Sequence, residues 1–177
     1  MVEISVRALG EEDWQHYRDI RLAALRDSPD AFVATSAQEE ALEEQAWRER
    51  MSRARRLVAE LDGSPVGVVS LGKGDPEHSY TGELFGLWVA RQGRGTGVAW
   101  KLVEAGATQA VADGHRHLGY WVGTDNGRAV AFASSFGFRP TGKRRPMKVA
   151  NETDGAEETV MVLALDVDPG IASARLL

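Results

Sequence analysis

One stretch constrains this chain more than any other. Leu87-Trp88-Val89 leads through Arg91-Gln92-Gly93-Arg94-Gly95-Thr96-Gly97 into a long apolar pattern at helical spacing. An apolar strand therefore has to stop, turn on glycines and reopen as a helix within one short segment. Glycine allows the tight turn and lets the backbone approach a ligand with no Cβ in the way. The first N–H groups of a helix lack intrahelical acceptors, and the helix dipole favours an anion beside them. That geometry suits a phosphate or pyrophosphate, and the Arg94 guanidinium can approach the same anion. Two phosphate-binding alternatives fail. A P-loop needs Lys-Ser or Lys-Thr after its last glycine, and Val98-Ala99 stands there. A dinucleotide fold places its glycines after the first strand of a βαβ unit, with an acid about twenty positions on. Here several elements precede the turn, and residues 118–122 carry no acid.

The remaining pattern reads as one mixed α+β sheet with helices packed on it. Residues 4–9 alternate as a first strand, and Trp14, Tyr17, Ile20, Ala24 and Leu25 give a helix to Arg26. A second helix is expected over residues 38–53, acidic at its start and basic at its end. Residues 56–61 and 66–71 form a hairpin about Asp62-Gly63-Ser64-Pro65, and residues 72–76 read as loop. A strand over residues 80–90 contains Gly86, where a bulge is expected. The helix over residues 96–113 ends at Gly114, and residues 118–122 form a strand. Asp125 or Asn126 caps a helix that Gly137 stops. Strands over residues 138–142 and 158–166, with a polar loop between them, complete a domain over residues 1–168. The tail, residues 169–177, has no periodicity.

A second segment reads Asn126-Gly127-Arg128-Ala129-Val130-Ala131-Phe132-Ala133-Ser134-Ser135-Phe136-Gly137-Phe138. Together the two segments resemble the GNAT superfamily of acyl-CoA-dependent N-acetyltransferases. Its signature Arg/Gln-x-x-Gly-x-Gly/Ala is matched by Arg94-Gly95-Thr96-Gly97-Val98-Ala99. Its second segment, Asn-x-x-Ala-x-x-Phe/Leu-Tyr-x-x-x-Gly-Phe, is echoed from Asn126 to Phe138. The resemblance implies a three-layer α+β fold, with a mixed, mostly antiparallel sheet and helices on both faces. It implies acetyl-CoA as co-substrate and direct attack within a ternary complex; with no cysteine in the chain, an acetyl-cysteine intermediate is excluded. Main-chain groups of Leu87 and Val89, on either side of Trp88, would hold the pantetheine arm like an added strand. The N–H groups of Arg94, Gly95, Thr96, Gly97, Val98 and Ala99 would cradle the pyrophosphate. Asn126 would bond the cofactor near its pantetheine, or serve only as a helix cap. Trp88 and Trp100 read as packing side chains.

For catalysis, Glu83 is the candidate base, because relatives place a glutamate acting through water at this point of the strand. It shares parity with Phe85, Leu87 and Val89 only if Gly86 makes no bulge. Relatives commonly carry a tyrosine acid where this chain has Ala133, which leaves Ser134, Tyr120 or water to protonate the thiolate. The thiol of CoA has a pKa near that of cysteine, so unassisted departure is also open.

In such a fold the acceptor binds near the first two helices, which points to Arg21 and to Phe32 as an apolar wall. Glu39 or Glu40 would attract an ammonium group, or merely solvate a helix start. The net charge of −5 suits a cationic amine and argues against a nucleic-acid partner. The basic clusters Arg53-Ala54-Arg55-Arg56 and Lys143-Arg144-Arg145 read as solvated ends of elements. His16, His78, His115 and His117 lack metal-ligand spacing, and no metal is expected. No apolar run is long enough to span a membrane. The opening Met-Val-Glu-Ile-Ser-Val lacks a signal peptide's features, so the expected location is cytoplasmic. The leading expectation is a small-molecule amine N-acetyltransferase. Alternatives are a protein or peptide N-acetyltransferase, a catalytically weak acetyl-CoA-binding regulatory module, and a nucleotide-binding protein without acyl chemistry. Family members are often dimers, which makes a homodimer the expected assembly.

Overall fold

Strand β1 (Ile4–Ala8) is followed by α1 (Trp14–Asp27), α2 (Ser36–Glu40) and α3 (Glu44–Arg53). Then come β2 (Arg55–Leu61), β3 (Ser64–Asp75), β4 (Tyr80–Val89), α4 (Val98–Ala112) and β5 (His117–Gly123). Helix α5 (Gly127–Phe136) and strands β6 (Arg139–Pro146) and β7 (Glu157–Ala164) complete the described elements. The computed structural model describes residues 3–147 and 156–165. The tail expected over residues 169–177, the boundary at residue 168 and most of the polar loop between the last strands lie outside the described residues.

The seven strands form one sheet in the order β1-β2-β3-β4-β5-β7-β6. Every neighbouring pair is antiparallel except β4 and β5, which run parallel. The β2–β3 hairpin turns on Asp62 and Gly63, with φ of 49° and 86°. Two successive left-handed residues match the twist of the flanking strands, which is why Asp-Gly suits this position. Helices α1, α2 and α3 pack on one face of the sheet, α4 and α5 on the other. Close approach of α4 depends on missing side chains. A Cβ on Gly67 would meet Leu102 at 2.9 Å, and one on Gly106 would meet Leu84 at 2.7 Å. The core between the layers includes the fully buried Trp47, Val58, Val69, Leu102 and Leu118. No helix among the described residues is long and apolar enough to cross a membrane.

Three local expectations change. The single helix over residues 38–53 is two helices, broken at residues 41–43. A reciprocal cap between Thr35 and Gln38 starts α2 early, and the break lets Glu39 bury its carboxylate between α1 and α3. The expected loop over residues 72–76 is largely strand, because Gly72, Lys73 and Asp75 pair with Glu83, Gly82 and Tyr80. The strand expected over residues 138–142 begins at Arg139 and extends to Pro146 against β7.

One irregularity shapes the site. Strand β4 pairs with β5 only through Gly82, Glu83 and Leu84, opposite Leu118, Gly119 and Tyr120. Beyond Leu84 the two strands separate, leaving one edge of β4 unpaired as far as Val89 among the described residues. The expected bulge occurs at the point of separation. Gly86 has φ of 65°, and the β3–β4 register slips between Val68 and Ser70.

Candidate active site

The glycine-rich turn is built mainly from main chain. Gly95 and Gly97 have φ of 77° and 92°, values that other residues adopt only with strain. No protein atom lies within 4 Å of a Cβ added at either, so the space beside the turn is open. Among the described residues, none of the main-chain N–H groups from Gly95 to Trp100 has a hydrogen-bond acceptor. Val98 opens the fifteen-residue α4, so these groups form its N-terminal donor set. The family pattern also fits two residues earlier, on Gln92-Gly93-Arg94-Gly95-Thr96-Gly97, and that frame puts its two glycines on the two left-handed positions.

Side chains at the turn play another part. Arg94 was expected to reach the anion, but its Nη2 contacts Asp27 Oδ2 at 2.6 Å and its Nε donates to Val89 C=O at 3.0 Å. Asp27 also accepts from Trp88 Nε1 at 3.1 Å, so Arg94 and Trp88 tie the turn to the end of α1. The hydrogen bond from Ser28, then those from Trp88 and Arg94, hold the Asp27 carboxyl below the usual aspartate range. Thr96 Oγ1 donates to Gly93 C=O at 2.5 Å and closes the turn on itself. Trp88 is buried, and Trp100 stacks on Phe136, so both pack as expected.

The unpaired edge of β4 complements this turn. Ala90 N–H donates to Val66 C=O, so the next residue in the ladder, Val89, turns its main-chain groups away from β3. The cradle of N–H groups, the open space at Gly95 and Gly97, and the free strand edge fit an extended ligand ending in a pyrophosphate. Asn126 caps α5 by accepting from Ala129 N–H at 3.1 Å, which leaves its amide N–H groups for other partners.

Glu83 lies where β4 and β5 still pair. The bulge at Gly86 inverts the later parity. Glu83 therefore shares its face with Phe85 and Trp88, and not with Leu87 and Val89. Trp121 Nε1 donates to Glu83 Oε1 at 3.0 Å, and Arg145 stacks over the Trp121 ring at 3.7 Å. Arg145 in turn bonds Glu158 at 2.5 Å. Burial pushes the Glu83 carboxyl above the usual glutamate range, helped by Glu158 and Asp75; Trp121 and Arg145 pull it partly back. Such a carboxylate is a stronger base near neutral pH than an exposed one. Ala133 is buried, and Ser134, half-buried beside it, uses its carbonyl to bond Gly137 and Arg139. Burial raises the Tyr120 phenol and keeps it neutral.

A cavity of about 700 Å³ opens on the α1 side of the sheet. Tyr17, Ser70, Phe85 and Gly86 line it, together with the basic Arg21, Arg50, Arg53, Arg56 and Lys73 and the acidic Glu39. It adjoins Glu83 through that residue's cross-strand partner Gly72 and its neighbour Phe85. The expected acceptor residues sit differently from their sequence reading. Phe32 is outside the lining and supports Arg21, whose guanidinium lies 4.8 Å above its ring. Glu39 accepts from Arg21 at 3.0 Å and from Arg50 at 2.8 Å, so its charge is already met. Burial would raise its pKa, but the two guanidiniums prevail and hold it below the usual range. Glu40 is exposed and pairs with Arg26 at 2.8 Å, away from the cavity.

Sequence reasoning missed Arg50, Arg56, Ser70 and Phe85 at the cavity and Trp121 beside Glu83. The cluster Arg53-Ala54-Arg55-Arg56 is not uniformly solvated, for Arg55 pairs with Asp113 while Arg56 is only 6% exposed. One signal was available: Arg56 stands directly before the apolar Leu57-Val58-Ala59, inside the strand's buried run.

The acetyltransferase (GNAT) family model matches residues 14–138. An N-acetyltransferase from Staphylococcus aureus Mu50 superposes with a TM-score of 0.70 at 22% identity, over 92% of this chain and 98% of its own. An acetyltransferase of the GNAT family from Streptococcus pneumoniae gives 0.72 at 19%, over 92% and 100%. A Salmonella typhimurium protein solved with its cofactor acetyl-CoA gives 0.67 at 21%, over 93% and 95%. No curated protein sequence matches the chain. The family match spans most of the chain, including both the glycine turn and the Asn126 to Phe138 segment, and the chain belongs to the acetyltransferase (GNAT) family.

Proposed function

We propose that this protein N-acetylates the primary amine of a small molecule by direct attack in a ternary complex. The observation that carries this reading is the continuity of three features along β4: the basic carboxylate of Glu83, the free edge after Gly86, and the donor set from Gly95 to Trp100. Acetyl-CoA, the donor used by this family, supplies the acetyl thioester. Its pyrophosphate would lie on the N–H groups from Gly95 to Ala99, and its pantetheine along Leu87 and Val89. Arg94 and Trp88 act on the cofactor indirectly, by bracing the turn on Asp27. Asn126 keeps its role as the cap of α5 and can also donate its amide to the cofactor.

On the other side of β4, Glu83 takes a proton from the acceptor's ammonium group through water. Trp121 fixes the carboxylate's orientation by its hydrogen bond. With Ala133 unable to give a proton, the acid role falls to Ser134, the hydroxyl next to it in the chain. A cavity of about 700 Å³ suits a small molecule in size.

Thiol release tests this directly. Purified protein with saturating acetyl-CoA should release CoA steadily with at least one member of a panel of small primary amines. Turnover with peptide N-termini alone would redirect the reading to protein acetylation. Tight acetyl-CoA binding without turnover on any amine or peptide would leave a binding module instead.

A further inference from the structure

The cavity beside Gly86 holds more positive charge than its single carboxylate can meet. Glu39 is shared between Arg21 and Arg50. Arg56 lies deepest, 6% exposed, and its partners are neutral. Its Nη1 donates to Ser70 Oγ at 2.7 Å, while Nε and Nη2 donate to Arg50 C=O at 3.3 and 2.9 Å. A guanidinium has five N–H donors, so these three bonds leave two unused. Among the described residues no carboxylate contacts Arg56, Arg53 or Lys73, although all three line the cavity. Burial, with Arg50, Arg21 and Arg53 close by, lowers the Arg56 pKa against the opposing effect of Tyr17. An arginine nevertheless stays charged in proteins, and a buried charge without a counter-charge is unfavourable.

The deep cations are also held in place before any ligand arrives. Arg21 stacks on Phe32 at 4.8 Å and Arg50 on Trp47 at 4.8 Å. Arg56 contacts two rings, Tyr17 at 4.7 Å and Phe85 at 5.5 Å. Clamped guanidiniums have little rotamer freedom left to lose on binding, which favours affinity for a group matching their donors. Carboxylate and phosphate are the groups that do so. The chain as a whole is acidic, with net charge −5, so this basic lining is a local feature and not a consequence of composition.

We propose that the acceptor amine carries a second, anionic group, a carboxylate or a phosphate, which Arg56 binds at depth and which Arg53 and Lys73 attract at the rim. This rests on the acetyltransferase reading and narrows its substrate class. Gly86 lines the same cavity and starts the unpaired edge of β4, so an acceptor anchored at Arg56 extends its amine toward the cofactor side. The sequence expectation of a carboxylate attracting a cationic amine is replaced by the opposite polarity at the anchoring end.

Matched pairs test the proposal with the intact chain and acetyl-CoA: glycine against glycinamide, O-phosphoethanolamine against ethanolamine, with putrescine as a dication. The anionic member of at least one pair should show kcat/KM higher by tenfold or more, roughly the contribution of one charged hydrogen bond; which pair shows it separates carboxylate from phosphate. Arg56→Gln should reduce that ratio by about tenfold with the KM for acetyl-CoA unchanged. Arg53→Gln, at an exposed position, should reduce it by a smaller factor even if the Arg56 variant folds poorly. Equal or better use of glycinamide, ethanolamine or putrescine would overturn the proposal while leaving the acetyltransferase reading intact. Failure to bind acetyl-CoA would instead remove the reading itself. If acetyl-CoA binds but no pair turns over, inorganic phosphate is titrated into the complex: saturable binding lost in Arg56→Gln supports the proposal, and its absence in the unmodified chain contradicts it.

Discussion

The proposed cofactor and acceptor sites, on two sides of β4, are made from different materials. On the cofactor side, consecutive residues supply main-chain N–H groups, and two glycines set their direction through φ of 77° and 92°. On the acceptor side, α1, α2, α3, β2, β3 and β4 each contribute side chains to one cavity. The first arrangement needs only a local sequence to exist, whereas the second exists only after the sheet and three helices have assembled. A site for an invariant group, a pyrophosphate, can therefore be kept in a short segment. A site that selects among acceptors can be altered one side chain at a time without disturbing the other.

That contrast can be broken at its chemical centre first. Glu83→Gln keeps an acceptor oxygen for Trp121 but cannot take a proton. The expected loss in kcat is about a hundredfold to ten-thousandfold, with little change in acetyl-CoA affinity. Burial raises the Glu83 carboxyl, and in the proposed role the active base is its deprotonated form. Activity of the unmodified protein should therefore rise with pH along a limb above the ordinary glutamate range. A pH–rate profile of the variant should lack that limb, and an unchanged profile would take the base role from Glu83.

Gly97→Glu probes the cofactor side. It places a side chain at φ of 92° and a negative charge beside the donor set. A turn strained by about 1–3 kcal/mol relaxes and displaces its donors, and the new carboxylate repels the pyrophosphate, so acetyl-CoA affinity should fall by roughly tenfold or more. Calorimetric titration measures it, and the far-ultraviolet spectrum checks that the fold survives.

A smaller effect sharpens how Glu83 is tuned. Trp121→Phe removes a hydrogen bond that lowers the Glu83 pKa, so that pKa should rise further. The acidic limb of the rate profile should move to higher pH by up to about one unit, and kcat should fall several-fold below the limb. A shift to lower pH would contradict the tuning described.

The smallest effect separates the two roles of Asn126. Asn126→Ala removes the cap to Ala129 N–H and should cost about 1 kcal/mol, a drop in Tm of about 2–4 °C. A change in acetyl-CoA affinity beyond that loss, measured on the folded variant, would reveal the cofactor contact as well.

The same contrast decides what the sequence could disclose. The strand, turn and helix from Leu87 to Ala112, the cap at Asn126 and the bulge at Gly86 are all set by local backbone requirements, and all were legible. The break between α2 and α3 was not, because no glycine or proline marks residues 41–43. The break follows from the tertiary demand that Glu39 meet Arg21 and Arg50. Arg56 was misread for a related reason. Its place directly before Leu57-Val58-Ala59 was the one local sign of burial, and only the assembled fold turns Arg56 inward to Ser70 and Arg55 outward to Asp113. Phe32, expected as an apolar wall for the acceptor, is outside the cavity lining and serves as the platform beneath Arg21, a contact that no local pattern discloses.

The central claim is that the donor set between Gly95 and Trp100 holds acetyl-CoA, and calorimetric titration of the purified chain with acetyl-CoA, ATP and NAD tests it most directly. Acetyl-CoA should bind with micromolar or better affinity, at least tenfold more tightly than either nucleotide on the strength of its pantetheine contacts along β4, and Gly97→Glu should lower that affinity at least tenfold. Equal binding of ATP or NAD, or acetyl-CoA binding indifferent to Gly97→Glu, would contradict the account.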